Sequence, residues 1–254
     1  MVMDRVVIGR FVTAVLLGAM ACGSQQVPSN PSSTAPAFSI LVFSRTEGFR
    51  HDSIPAGIAA IQQQGTQRGF TVEGSENAGV FSDENLARYK AVVFLSTTGD
   101  VLNAAQQAAF ERFIRRGGGF VGVHAAADTE YDWPFYGALV GAYFSNHPDI
   151  QNATIRIEDQ SHPATVSLPR SWVRRDEWYN FRRNPRGSVT VLATLDEGTY
   201  SGGTMAPDHP IMWSHTYEGG RSWYTAGGHT SESYSEPLFA EHLGKAVLWA
   251  AGAI

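Results

Sequence analysis

Two histidines of this 254-residue chain follow short apolar segments at points where a strand is expected to end. His124 ends the run 119–123 and precedes three alanines. His229 lies between Gly228 and Thr230 after a second such run. An imidazole amid glycine and alanine has little packing role, whereas neutral imidazole acts as a general acid, a general base or a metal ligand. The two positions indicate that these histidines act in acid–base catalysis or metal binding at the edge of a sheet.

Acidic residues in comparable positions extend this candidate site. Glu177 is next to Trp178 and Tyr179, and a carboxyl group among aromatic side chains can have a raised pKa that suits acid or base catalysis. An ordinary surface acid is the alternative. The predicted catalytic residues are His51, His124 and Glu177, with Asp128 orienting the others.

Further histidines lie in other predicted loops, and with the acids they provide the donor types that bind a divalent metal such as zinc. No His-x-x-x-His spacing is present, so such a site would be assembled from distant segments. The predicted ligands are His124, His147 and His229, and His209 and His215 belong to the same candidate group. Hydrogen-bonded or solvated histidines without a metal are the alternative.

Aromatic and acidic side chains in the same stretches predict contacts to a sugar. Aromatic rings offer flat faces to the apolar side of a sugar ring, and carboxylates accept hydrogen bonds from hydroxyl groups. A place in the core is the commoner alternative for an aromatic residue. The predicted substrate-binding residues are Trp133, Tyr136, Asp132, Trp178 and Tyr179.

The elements that position these residues alternate between strand and helix patterns in the first half of the chain. The predicted elements are strands at 38–43, 70–72, 91–95 and 119–123 and helices beginning at Ser53 and Asn103. This alternation predicts an α/β fold with a doubly wound, mainly parallel sheet and helices on both faces. His124 would then lie at the sheet edge where open α/β sheets bind ligands.

The second half is less regular. It is predicted to contain a short helix ending near Val140, strands at 153–157 and 189–195, a hairpin of 211–217 with 221–226, and a last helix over about 236–251.

The N-terminus has the pattern of an export signal. Arg5 and Arg10 precede the apolar run 11–18 and then Ala-Met-Ala-Cys, which resembles a bacterial lipobox ending at Cys22. We expect a signal over 1–22, a Ser/Pro-rich tether over 23–36, and a lipid anchor at Cys22 on the extracytoplasmic side of a membrane. A secreted or periplasmic protein is the alternative. The net charge of −5 and the scattered Lys and Arg residues argue against nucleic acid as a partner.

Several motifs together resemble the ThuA-like (trehalose-utilisation) family. They are GFRHDSI at 48–54, GFVGVHAAAD at 119–128, YDWPFY at 131–136, HP at 147–148, DEWY at 176–179, HPIMW at 209–213 and GGHT at 227–230. The resemblance assigns 37–254 to a ThuA-like domain. It implies a flavodoxin-like sandwich similar to class I glutamine amidotransferases, and a role with trehalose-type sugars or their 3-keto derivatives.

The amidotransferase reaction itself does not fit these residues. Those enzymes carry a nucleophilic cysteine after the central strand, where this chain has His124, and its single cysteine lies in the export signal. No Gly-x-Ser-x-Gly elbow is present either. We therefore expect a protein that acts on or binds a small carbohydrate. A non-catalytic sugar-binding or complex-forming module and a metal-dependent hydrolase of another substrate are the alternatives.

Overall fold

Apolar runs of the sequence form the middle of a nine-stranded sheet. In the computed structural model, which describes residues 8–9 and 37–254, the strands β3 and β4 are buried at every residue. The strands are β1 (Phe38–Phe43), β2 (Phe70–Ser75), β3 (Ala91–Leu95), β4 (Gly119–Val123), β5 (Phe144–Asn146), β6 (Gln151–Ile157), β7 (Ser171–Asp176), β8 (Asn180–Phe181), β9 (Thr190–Asp196), β10 (Pro210–Tyr217) and β11 (Gly220–Thr225).

Residues 37–254 also form six α-helices. They are α1 (Ile54–Arg68), α2 (Asp83–Leu86), α3 (Ala104–Arg115), α4 (Pro134–Val140), α5 (Ser231–Ser235) and α6 (Pro237–Ala250). None of the helices in the described part of the chain has both the length and the apolar character needed to cross a membrane. Apart from residues 8–9, the predicted export signal lies outside the described residues, as do Cys22 and the tether.

The order of strands in the large sheet is β2-β1-β3-β4-β11-β10-β9-β6-β7, and β5 pairs with β8 separately. The ladders from β2 to β11 are parallel and those from β11 to β7 are antiparallel. As a result β1 to β4, β7, β9 and β11 run in one direction, and β6 and β10 run in the other. The predicted flavodoxin-like α/β class is confirmed, and the carboxyl ends of β1, β4, β7 and β11 all lie at one edge.

Adjacent residues of β3 show that helices cover both faces of the sheet. Phe94 stacks on Phe110 of α3 with ring centroids 5.4 Å apart. Leu95 points to the opposite face of the sheet, towards α1. A Cβ atom added to Gly57 of α1 would lie only 3.0 Å from the methyl groups of Leu95. Successive side chains of a strand alternate between faces, so α3 and α1 pack on opposite sides of β3.

The end strand β7 contacts the parallel half of the molecule again. Trp172 Nε1 and Arg174 Nε each donate a hydrogen bond of 2.9 Å to the carboxylate of Glu236, just before α6. Arg174 and Asp176 are buried in alternation with exposed neighbours. Sequence analysis missed this strand because two of its inward positions carry charged residues, which hides the apolar alternation typical of a half-buried strand.

Candidate functional site

His124 lies directly after β4 at the centre of the sheet. It is fully buried, and its φ of 51° lies in the left-handed region, which non-glycine residues adopt only when their surroundings impose it. Its Nδ1 lies 2.8 Å from the carbonyl oxygen of Ala226. A carbonyl only accepts, so Nδ1 carries a proton and donates it to Ala226, which directs Nε2 towards the site.

His229 comes from the loop after β11, the strand next to β4. Gly228 reaches a φ of 113° in this loop, and a Cβ there would lie 2.6 Å from the hydroxyl of Tyr234. Only glycine fits that position. The turn brings His229 Nδ1 to 3.2 Å from His124 Nε2.

Glu177 follows β7 and approaches both histidines. Its Oε2 lies 3.0 Å from His229 Nδ1 and 3.4 Å from His124 Nε2, and its Oε1 lies 3.0 Å from His147 Nδ1. Burial by itself would raise the pKa of Glu177, but hydrogen bonds and charges from His124 and His229 hold it well below its usual value. Burial favours neutral His229, but the hydrogen bond to Glu177 and the charges of Glu177 and Asp176 together outweigh burial and raise the pKa of His229.

Asp176 links the loops that carry Glu177 and His229. This fully buried carboxylate accepts hydrogen bonds from the amides of Glu177 at 3.0 Å, Gly228 at 2.8 Å and His229 at 3.1 Å. The hydroxyl of Ser233 donates a fourth, at 2.9 Å. One side chain therefore fixes the positions of two functional residues whose strands are not neighbours in the sheet.

His51 reaches the cluster from the loop between β1 and α1. Its ring packs edge-on against His124 and His229, with centroids 4.8 and 5.0 Å apart. It is 3% exposed, and its buried Nδ1 has no hydrogen-bond partner among the described residues. Burial, together with the neighbouring His124 and His229, lowers the pKa of His51 to about 3, so the ring is neutral at physiological pH.

These side chains line a cavity of about 440 Å³ at the carboxyl edge of the sheet. Its walls are Phe49, His51, Asp128, Phe144, His147, Glu177, Tyr179 and His229. Tyr179 covers His124, with ring centroids 4.1 Å apart. Phe49 is 65% exposed at the margin. His51, His124, Glu177 and His229 each offer one donor atom, and the four atoms lie within 4.8 Å of one another.

The structure brings part of the predicted set together. His51, His124, His147, Glu177 and His229 converge, and Asp128 and Tyr179 join them in the cavity wall. The other predicted sugar contacts do not line this cavity, which corrects the placement expected for them. Trp133, Tyr136 and Trp178 are core residues and Asp132 is exposed outside it.

Two histidines of the candidate group lie elsewhere. His215 is in β10 and its Nε2 donates to the carbonyl oxygen of Ala138 at 3.1 Å. His209 is 1% exposed, with Nδ1 2.7 Å from Glu197 Oε1 and Nε2 2.9 Å from the carbonyl oxygen of Tyr179. His209 is held at both ring nitrogens and His215 at Nε2, while the buried Nδ1 of His215 has no partner among the described residues.

Sequence reasoning gave no site role to Asp176, Phe49 or Phe144. Asp176 opens the DEWY motif, and its adjacency to Glu177 was the available signal. No sequence signal revealed its hydrogen bonds with the amides of Gly228 and His229, which follow it by 52 and 53 positions in the chain. Phe49 and Phe144 resemble ordinary loop aromatics, and only the folded chain places them at the cavity.

Comparison with known proteins gives a consistent result. The sequence profile of the ThuA family, described as trehalose utilisation, matches residues 39–250. A ThuA-like protein of Bacteroides uniformis is 24% identical with a TM-score of 0.73, covering 89% of this chain and 95% of its own. One from Parabacteroides merdae is 20% identical with a TM-score of 0.71, covering 86% and 91%.

More distant structures share only the fold. The glutaminase domain of Trypanosoma brucei CTPS is 10% identical with a TM-score of 0.50, covering 85% of this chain and 94% of its own. A search of curated protein sequences gives no match.

Proposed function

The chain belongs to the ThuA family, and from that premise we propose that it binds and acts on a small neutral carbohydrate, of trehalose type or a 3-keto-glycoside. The composition of the cavity wall carries this proposal. Among the described residues that line it there are two carboxylates, three aromatic side chains and three histidines, and no lysine or arginine. Such a wall accepts hydroxyl protons and stacks on a sugar ring, but it offers no fixed cation to a phosphate or carboxylate ligand.

The roles of the residues follow from their positions. His124 lies beside Glu177 and His229, with its Nε2 3.4 Å from the carboxylate and 3.2 Å from the second imidazole. Asp128 faces the cavity from the turn after His124, where it accepts a hydrogen bond of 2.5 Å from the hydroxyl of Tyr131. We assign orientation of a sugar hydroxyl to Asp128, and the contacts to the reacting part of the sugar to the cluster of His51, His124, Glu177 and His229.

Calorimetric titration with trehalose, 3-keto-trehalose and trehalose 6-phosphate tests the ligand class, and chromatography of the reaction mixtures tests turnover. We expect the neutral sugars to bind and the phosphorylated one to bind at least about 10-fold more weakly, because the cavity has two carboxylates and no fixed cation. Asp128→Asn should weaken neutral-sugar binding, and Asp132→Asn, an exposed aspartate four residues later, is the matched control.

Equal effects of the two substitutions, or tighter binding of the phosphorylated sugar, would remove the basis of the carbohydrate proposal. Binding of a neutral sugar without any product would identify a non-catalytic sugar-binding module instead.

We propose separately that the protein is exported and lipid-anchored through Cys22. The charged and apolar N-terminal residues and the Ala-Met-Ala-Cys sequence support this. Radiolabelled palmitate should enter the wild-type chain and not Cys22→Ser, and the variant should leave the membrane fraction. A Ser24→Ala chain serves as the control. Equal labelling of the Cys22→Ser chain would contradict the anchor.

A further inference from the structure

We infer that His51, His124, Glu177 and His229 form a binding site for one divalent transition-metal ion of the zinc class. This inference concerns the ion alone and stands whether or not the cavity's ligand is a sugar. It also changes the ligand set expected from sequence, because His51 and Glu177 join His124 and His229 while His147 contacts Glu177 from outside.

The spacing of the donor atoms fits such an ion. Zinc binds imidazole nitrogen and carboxylate oxygen at roughly 2.0–2.2 Å, so tetrahedral ligands lie about 3.4 Å from one another. His124 Nε2, His229 Nδ1 and Glu177 Oε2 form a triangle with sides of 3.0, 3.2 and 3.4 Å. Three donor atoms from three separate loops thus have the separation that a shared ion requires.

Hydrogen bonding leaves part of the cluster without partners. His51 has no side-chain hydrogen bond to the described residues, and its buried Nδ1 is unpaired, at a cost of about 1–3 kcal/mol. Around His229 Nδ1, a single N–H would have to serve both His124 Nε2 at 3.2 Å and Glu177 Oε2 at 3.0 Å. A divalent ion would instead bond to all three of these atoms and to a ring nitrogen of His51.

The surroundings of the donors are those of a metal site. Ligating histidines usually donate their second ring N–H to a carbonyl or carboxylate, and His124 does so to Ala226. His147 contacts the other oxygen of Glu177 at 3.0 Å. Asp176 fixes the backbone of Glu177 and His229. These contacts fix the orientation of the donor side chains, as the outer hydrogen bonds of metal sites do.

The mixed donor set also narrows the class of ion. Three imidazoles and one carboxylate suit zinc and its neighbours in the first transition row better than magnesium or calcium, which prefer oxygen ligands. An ion of this class polarises a hydroxyl or carbonyl oxygen of a bound substrate. His147, whose side chain is 43% exposed, lies beside the cluster at the cavity wall.

Metal analysis of the full chain, purified without a polyhistidine tag, tests the site. We expect about one ion per chain after incubation with zinc, cobalt, nickel or manganese followed by dialysis, as for a single four-ligand site. The cobalt form should show the visible absorption of a four- or five-coordinate ion. His51→Gln and His229→Gln should each lose the ion and this spectrum. His215→Gln, a partly buried histidine outside the cluster, should keep both.

Near-ultraviolet circular dichroism and thermal melting of each variant establish that it is folded. A folded wild-type chain that retains none of the four ions above background would overturn the inference. Retention of the ion and an unchanged cobalt spectrum in folded His51→Gln and His229→Gln chains would do the same. Neither outcome depends on sugar binding, so failure here is distinguishable from failure of the proposed function.

Discussion

Two histidine–carboxylate clusters among the described residues differ in how fully their hydrogen bonds are satisfied. In the first, His209 has Glu197 on one ring nitrogen and the carbonyl of Tyr179 on the other, at 2.7 and 2.9 Å. Both ring nitrogens of this buried histidine therefore have a partner. In the second, His51 has no side-chain hydrogen bond to the described residues, although it lies against His124 and His229.

An unpaired ring nitrogen does not by itself mark the functional cluster. Buried polar groups are nearly always paired, but ring nitrogens of His162, His215 and His242 share with His51 the lack of a partner among the described residues. His51 differs from those three because its donor atom lies close to those of three other possible metal ligands. The two clusters are also connected. His209 holds the peptide of Tyr179, and the ring of Tyr179 covers His124. The pair of His209 and Glu197 therefore helps to fix Tyr179, whose ring packs on the functional cluster.

Breaking the pair of His209 and Glu197 by removing the histidine should have the largest effect on the free energy of unfolding. We expect His209→Leu to lower the free energy of unfolding by about 2–4 kcal/mol, because the carbonyl oxygen of Tyr179 and the half-buried carboxylate of Glu197 each lose a hydrogen-bond partner. Urea denaturation measures this. The double variant His209→Leu/Glu197→Leu is the control and should recover much of the loss. A loss under about 1 kcal/mol in the single variant would show that the two clusters do not differ as argued.

The second effect concerns Asp176, which joins the loops of the functional cluster. Asp176→Asn keeps the shape but turns an amide N–H₂ towards backbone N–H groups, which should cost about 1–3 kcal/mol. It should also weaken zinc binding about 10- to 100-fold, as the loss of outer hydrogen bonds does in other metal sites. Titration with zinc and a competing chelator measures the affinity, and Asp149→Asn at an exposed aspartate is the control. Unchanged zinc affinity would mean that Asp176 has no positioning role.

The third substitution should have little effect on the metal-free chain. His51→Leu removes an imidazole that has no hydrogen bond to lose, so the free energy of unfolding should rise or fall by less than about 1 kcal/mol. Chemical denaturation of the metal-free protein measures this, with His209→Leu beside it. A loss as large as that of His209→Leu would assign His51 to the structural class.

Phe49 should matter least for stability. The side chain is 65% exposed, so Phe49→Ala should change the free energy of unfolding by no more than about 0.5 kcal/mol. Its ring is nevertheless part of the cavity wall, and sugar binding should weaken by about 0.5–1.5 kcal/mol through lost stacking. Phe38→Ala, at a ring outside the cavity, is the comparison for calorimetric binding. Full sugar affinity in Phe49→Ala would remove this ring from the site.

The sequence predicts the parallel half of the fold well because its signals are local. The strand at 119–123 was expected in the middle of a sheet with His124 at its end, and β4 lies between β3 and β11. The hairpin of β10 and β11 and the last helix also lie within a residue or so of their predicted bounds. What could not be predicted is that β11 pairs in parallel with β4, since pairing of distant strands has no local signature.

The site was predictable in its residue types and only partly in its membership. Histidines at the ends of β4 and β11 could be named because small residues surround them. Trp133, Tyr136 and Trp178 were misplaced because an aromatic residue in the core and one at a binding site have the same sequence pattern. The contact of Asp176 with Gly228 depends on β7 meeting the loop after β11, which only the complete fold determines.

The return of β7 to the parallel half also affects the order in which the protein folds. Contacts that complete the cluster join residues far apart in sequence, such as the 105 positions between His124 and His229. Such long-range contacts carry the largest loop-closure cost and form slowly. The helices can recover early in refolding, while the donor atoms converge only after β7 meets the loop that carries His229. The visible absorption of cobalt bound during refolding would therefore follow the formation of the native topology and not the formation of the helices.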